Sequence, residues 1–261
     1  MTIEIDGLNI NYAIKGDGDY VFLLHGWGAN HQLFSPLADG ISSRYTVVSL
    51  DLPGFGDSDE PGCVWDVSAY ARFMVRFIGH FPCDRVILLG HSFGGRIIIK
   101  MSSMGDLPFS IDKIILVDSA GILPHRTFRQ KAKVALYKCG KALFGLPPFA
   151  KLFPGAIENY KSKMGSADYR SASGTMRGVL VKTVNEDLEP LLKNIRSQTL
   201  LIWGDQDTAT PLGDGVKMEK AIAGAGTDVG LVVLKGAGHY SFIDRQAAFL
   251  RVICSFLKVG T

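Results

Sequence analysis

Apolar and polar positions along this chain fall into two rhythms. Short apolar runs recur near residues 20–24, 45–50, 85–89, 113–118, 198–203 and 229–234. Runs of that length without polar alternation predict strands buried on both faces. Between most of them the apolar spacing changes to a helical one: near 66–80, where Ala69, Phe73, Phe77 and His80 recur, and near 92–104, 213–223 and 243–257. Strand alternating with helix predicts an α/β domain, a mostly parallel sheet flanked by helices. Residues 3–6 and 8–14 instead alternate around Asp6-Gly7, which predicts two tightly joined strands at an antiparallel N-terminal edge. The sheet would then hold about eight strands.

The alternation stops between Asp118 and Leu200. A stretch of that length is too long for a structureless loop in a compact domain, so residues 121–190 are expected to form a helical insertion between core segments 1–120 and 191–261. Its first helix, near 124–144, carries Phe128, Ala132, Ala135, Leu136, Cys139 and Leu143 as one stripe and stops before Pro147-Pro148. From Ser119 to Ile157 there are seven Lys or Arg and no acid, against a net charge of only +3 for all 261 residues. Such a helix can face solvent, or it can attract an anionic substrate, an acidic partner or a membrane surface. No aromatic-basic motif accompanies it, which argues against nucleic acid.

Composition narrows the class further. A chain of 261 residues can bury one large core. The start, Met1-Thr2-Ile3-Glu4-Ile5-Asp6, lacks the basic and then apolar architecture of a secretory signal. No uncharged apolar run approaches the roughly 20 residues of a membrane-spanning helix. Cys63, Cys83, Cys139 and Cys254 are scattered without a CxxC pair, which speaks against zinc and against a disulfide framework. The expectation is a soluble, cytoplasmic protein without metal or cofactor, whose oligomeric state the sequence leaves open.

Candidate chemistry follows the apolar runs. Ser92 lies in Gly90-His91-Ser92-Phe93-Gly94, between the strand pattern ending at Leu89 and the helical Ile97-Ile98-Ile99. A serine on a glycine-flanked strand-to-helix turn is a candidate nucleophile. Asp207 follows the run at 200–203 in Gly204-Asp205-Gln206-Asp207, and His239 follows that at 231–234. All three occupy loops at strand C-terminal ends, which face one way in a parallel sheet. A serine hydroxyl needs a base to take its proton, and imidazole suits that role near neutral pH. A carboxylate on the other ring nitrogen fixes the tautomer and stabilises the imidazolium. Asp205 and Asp118 are the competing acids; His25 and His91 suit turn bracing, and His31, His80 and His125 suit surface or helix-face positions. Asp51 and Asp57 border a Pro-Gly turn and read as structural, and Arg96, one turn beyond Ser92, can pair with an acid or support that turn.

The order Ser92, Asp207, His239, together with His25-Gly26-Trp27-Gly28 and Asp51-Leu52-Pro53-Gly54-Phe55-Gly56, resembles the α/β-hydrolases over nearly the whole chain. That resemblance implies a serine esterase-like enzyme in which the 121–190 insertion is a lid over the nucleophile. The amide of Phe93, next to the serine, is one expected oxyanion donor, and the resemblance makes the amide of Trp27 the second. It also implies substrate contacts from Trp27 and Tyr240, and a small-molecule acyl substrate. Haloalkane dehalogenases and epoxide hydrolases of this fold carry aspartate where this chain has Ser92, and the glycine-proline-rich loop of prolyl aminopeptidases is absent. Carbon–carbon bond hydrolases remain open, although their usual tryptophan after the histidine is Tyr240 here. A slow-turnover ligand sensor that retains the triad also remains open.

Overall fold

The computed structural model describes residues 1–123 and 167–259. Eight strands form one sheet: β1 (Thr2–Ile5), β2 (Leu8–Lys15), β3 (Asp19–Leu24), β4 (Tyr45–Leu50), β5 (Arg85–His91), β6 (Ser110–Val117), β7 (Gln198–Gly204) and β8 (Val229–Leu234). Their order is β1-β2-β4-β3-β5-β6-β7-β8. Pairs β1/β2 and β2/β4 are antiparallel, and every other pair is parallel. The predicted architecture, including the antiparallel edge, is the observed one. Asp6 and Gly7 turn the β1–β2 hairpin with φ of 54° and 76°, the double positive φ that a two-residue hairpin demands.

Period-two alternation divides each central strand between two cores. Phe22, Leu24, Val48, Leu50 and Leu88 pack against α2 (Val67–Ile78), α3 (Phe93–Met101) and α5 (Leu212–Ala223). Val21, Leu23, Val47, Ile87 and Leu89 point the other way, against α1 (Ser35–Ile41) and α6 (Gln246–Leu257). Asp66 starts α2 by accepting from the Ala69 amide at 2.9 Å. The sheet is therefore a rigid slab, with its strand ends free to carry side chains on one rim.

Two elements differ from the expected layout. α1 was not foreseen, because Ser35-Pro36-Leu37-Ala38-Asp39-Gly40-Ile41 is short and holds both proline and glycine. The expected helix near 243–257 is split at Arg245 into Ser241–Asp244 and α6. The break is fastened by Arg245 Nε donating to the Lys235 carbonyl (2.8 Å) and the Gly238 amide donating to Asp244 Oδ2 (2.8 Å).

The helical stripe expected near 124–144 and its basic residues lie outside the described residues. Of residues 121–190 the described part includes α4 (Gly174–Val184), whose Met176 and Val179 belong to the same core cluster as the buried faces of α2 and α3. No helix among the described residues is long and apolar enough to cross a membrane.

Candidate active site

Ser92 connects β5 to α3 with φ 48° and ψ −106°, a backbone conformation that non-glycine residues rarely hold. The neighbouring glycines are there for space. A Cβ on Gly94 would stand 2.1 Å from the Leu24 carbonyl oxygen, and one on Gly90 would stand 2.6 Å from the Gly94 carbonyl carbon. Helix α3 thus starts in direct backbone contact with β3, and the turn lifts the Ser92 hydroxyl above the rim.

His239 reaches this hydroxyl from the loop after β8, with Nε2 3.0 Å from Ser92 Oγ. Its Nδ1 lies 2.8 Å from Oδ2 of Asp207, in the loop after β7. The structure therefore brings the three predicted residues into one hydrogen-bonded chain. Burial would push the Asp207 carboxyl up, but His239 and the amide and hydroxyl of Thr210 outweigh it and hold the group below its ordinary value. The Thr210 hydroxyl stands 2.7 Å from Asp207 Oδ2 and 3.2 Å from His239 Nδ1. The amides of Ala209 and Thr210 occupy the other carboxylate oxygen, at 2.8 and 3.0 Å.

The competing acids are engaged elsewhere. Asp118 accepts from the Gly204 amide (2.9 Å) with Oδ1 and from the Ser241 amide (3.1 Å) with Oδ2. Burial raises its pKa from 3.8 to about 6 despite those amides. Asp205 accepts from the Gly236 amide at 2.7 Å. Both tie loops together and neither meets the imidazole.

The two histidines beside the site are buried and neutral. His25 donates from Nδ1 to the Gly26 carbonyl (2.7 Å) and accepts from the Leu52 amide (3.0 Å); burial lowers its pKa to about 4. His91 donates from Nε2 to the His239 carbonyl at 2.8 Å, and burial lowers its pKa to about 3. The carbonyl can only accept, so the proton sits on Nε2 and the bare Nδ1 faces Gly26, where a Cβ would stand 2.7 Å away. His31 is no plain surface residue: its amide and Nδ1 both meet Asp51 Oδ1, at 2.6 and 2.7 Å.

The loop carrying Trp27 closes on the serine from the β3 side. A Cβ on Gly26 would stand 3.3 Å from that of Ser92, and the Trp27 and Phe93 rings meet edge to face at 5.6 Å. Phe93 is the first residue of α3, so its amide lacks a carbonyl within its own helix. Trp27, Ser92, His239 and Tyr240 line a cavity of about 400 Å³, closed on another side by Leu180 and Thr183 of α4. Arg96, Thr210, Asp168 and Asp214 are among the other residues on its wall. Thr210 was missed in the sequence, although an acid followed three residues later by threonine is the pattern of a side chain capping its own turn.

The model of the alpha/beta hydrolase family matches residues 21–252. The chain belongs to the alpha/beta hydrolase family. Among other members, the 2-(acetamidomethylene)succinate hydrolase of Mesorhizobium japonicum is 23% identical, over 98% of this chain and 94% of that protein. The solved esterase of Exiguobacterium antarcticum is 25% identical with a TM-score of 0.74, covering 97% of each chain. The meta-cleavage product hydrolase of Pseudomonas fluorescens IP01 is 20% identical with a TM-score of 0.72, over 99% of this chain and 97% of that one. At that identity the last likeness speaks for the hydrolase fold alone.

Proposed function

We propose that this hydrolase cleaves a carboxylic ester, or a related acyl bond, of a small molecule through an acyl-enzyme on Ser92. The observation that carries this reading is the unbroken contact Ser92 Oγ to His239 Nε2 (3.0 Å) and His239 Nδ1 to Asp207 Oδ2 (2.8 Å). The likeness to a solved esterase, at 25% identity, supports it. Ser92 Oγ attacks the substrate carbonyl while His239 Nε2 takes its proton. Asp207 holds the Nδ1 proton and stabilises the imidazolium. The amides of Phe93 and Trp27 receive the oxyanion, helped by the partial positive charge at the start of α3. The tetrahedral adduct expels an alcohol, which takes the proton from His239. Water then attacks the acyl-serine and gives a proton to the same imidazole, which returns it to Ser92 Oγ as the bond to the acyl carbon breaks and the carboxylic acid leaves.

Trp27 and Tyr240 contact the substrate in this reading, and the 121–190 insertion is its lid. Leu180 and Thr183 on the cavity wall support that role for α4. The test is a fluorophosphonate probe together with stopped-flow hydrolysis of p-nitrophenyl esters. One label per chain on Ser92 and a burst of one nitrophenol are expected, and Ser92→Ala loses both. Folded wild-type protein that shows neither refutes the acyl-enzyme.

A further inference from the structure

Arg96 is a buried charge that makes no direct ion pair among the described residues, although the carboxylates of Glu186 and Asp187 act on it from further off. It follows Ser92 by one helical turn on α3 and is only 5% exposed. Among the described residues its one hydrogen bond runs from Nη1 to the main-chain carbonyl of Glu186, at 2.8 Å. The Glu186 carboxylate itself turns to Lys100, 2.7 Å away. A guanidinium has five N–H donors, and buried charges in proteins are ordinarily paired and hydrogen-bonded. Burial lowers the Arg96 pKa only to about 10, so it stays cationic at neutral pH.

Asp187 is exposed and its Oδ1 accepts from the Glu189 amide at 3.2 Å, so its attraction for Arg96 is screened. Arg96 lines the same 400 Å³ space as Ser92 and His239. Along a helix four residues rise about 6 Å, which puts the guanidinium's helix position within a short acyl chain of the nucleophile. Two acids also reach the wall, Asp168 and Asp214. Asp168 is exposed, so its charge is screened, and Asp214 has Lys217 3.8 Å away. The buried cation acts in a lower dielectric and dominates recognition close to the serine.

We propose that Arg96 recognises a carboxylate on the substrate, making the substrate of the Ser92 site a short-chain half-ester or half-amide of a dicarboxylic acid. The forked guanidinium fits a planar carboxylate with two parallel hydrogen bonds. This rests on the acyl-enzyme reading for what happens to the bound molecule, but not for its binding.

Binding is therefore measured without turnover. Monomethyl glutarate and dimethyl glutarate are titrated into Ser92→Ala protein by calorimetry, and again into Ser92→Ala proteins that also carry Arg96→Gln or Arg96→Lys. The monoanion is expected to bind about ten- to a hundredfold more tightly than the diester to Ser92→Ala protein. Arg96→Gln erases that ratio, and Arg96→Lys keeps part of it because the charge remains. Equal binding of the two esters to Ser92→Ala protein overturns the proposal even if no Arg96 variant folds. An intact ratio in folded Arg96→Gln overturns it as well. Tight binding of inorganic phosphate with no preference for the monoester replaces carboxylate recognition by phosphate recognition and rejects the half-ester. Labelling of wild-type Ser92 by fluorophosphonate is read beside these titrations. A labelled serine with no preference for the monoanion defeats only the carboxylate assignment, whereas a clear preference with an unlabelled serine defeats only the hydrolase reading.

Discussion

Asp207 stays ionised in a buried loop because Thr210 works beside His239. The threonine hydroxyl has one proton and two acceptors in reach, Asp207 Oδ2 at 2.7 Å and the Asp118 carbonyl at 3.0 Å. Its oxygen can also accept from the Nδ1 proton of His239, 3.2 Å away. Thr210→Val keeps the branched shape and removes the hydroxyl. A hydrogen bond to a charged group is worth about 1.5–3 kcal/mol, so kcat/KM for p-nitrophenyl esters is expected to fall about ten- to a hundredfold. An unchanged rate in steady-state assays would show that His239 and the loop amides suffice to orient the carboxylate. Ser92, Asp207 and His239 were legible as candidates because each lies in the loop that follows an apolar run. The engagement of Asp118 was not, since its partners Gly204 and Ser241 are 86 and 123 residues away in sequence. Arg96 was visible as a residue, but only the fold shows that its charge is buried beside the cavity.

Elements decide where Ser92 stands. Helix α3 can begin at Phe93 only because Gly94 lets it touch β3, and an alanine there would drive a methyl to 2.1 Å from the Leu24 carbonyl. Backbone cannot yield as a flexible side chain can. Overpacking of this kind costs about 1–3 kcal/mol, so Gly94→Ala is expected to lower the thermal midpoint and slow phosphonate labelling of Ser92 together. Gly213 in α5 supplies the contrast, with nothing within 4 Å of a built Cβ. Gly213→Ala should leave labelling alone and gain about 0.4–1 kcal/mol through a less flexible unfolded chain. Equal destabilisation by both changes in urea titrations would remove the steric argument. The parallel strands were readable as apolar runs, β1 and β2 by their alternation, and α2 because its apolar face repeats. α1 and the split at Arg245 were not, because a short proline-containing helix and a break fastened by distant loop atoms leave no periodic trace.

Across the whole molecule, Asp118 joins strand ends that are far apart in sequence. It follows β6 with φ 43°, holds the end of β7 through Gly204, holds the segment after His239 through Ser241, and its carbonyl lies within reach of Thr210. Burial raises its folded pKa to about 6 from an ordinary 3.8. Between those values the folded protein binds more proton than the unfolded one, so the contribution of Asp118 to stability falls as pH rises. Asp51 and Asp207 act in the opposite sense. Burial raises each, but the hydrogen bonds around each win and lower the pKa, so their stabilisation is present above the unfolded pKa and lost as pH falls. Asp118→Asn leaves those two in place and removes only the first dependence. Its amide oxygen still accepts from Gly204, while its NH₂ confronts the Ser241 amide, a penalty that does not vary with pH. The variant is thus expected to be less stable than wild type at pH 4.5, with the gap narrowing by about 2 kcal/mol by pH 7.5. Urea midpoints of both proteins at the two pH values measure that gap directly. A gap that is constant or widens with pH would mean that the carboxylate is already well accommodated by its two amides, and that the rim of the sheet tolerates its charge.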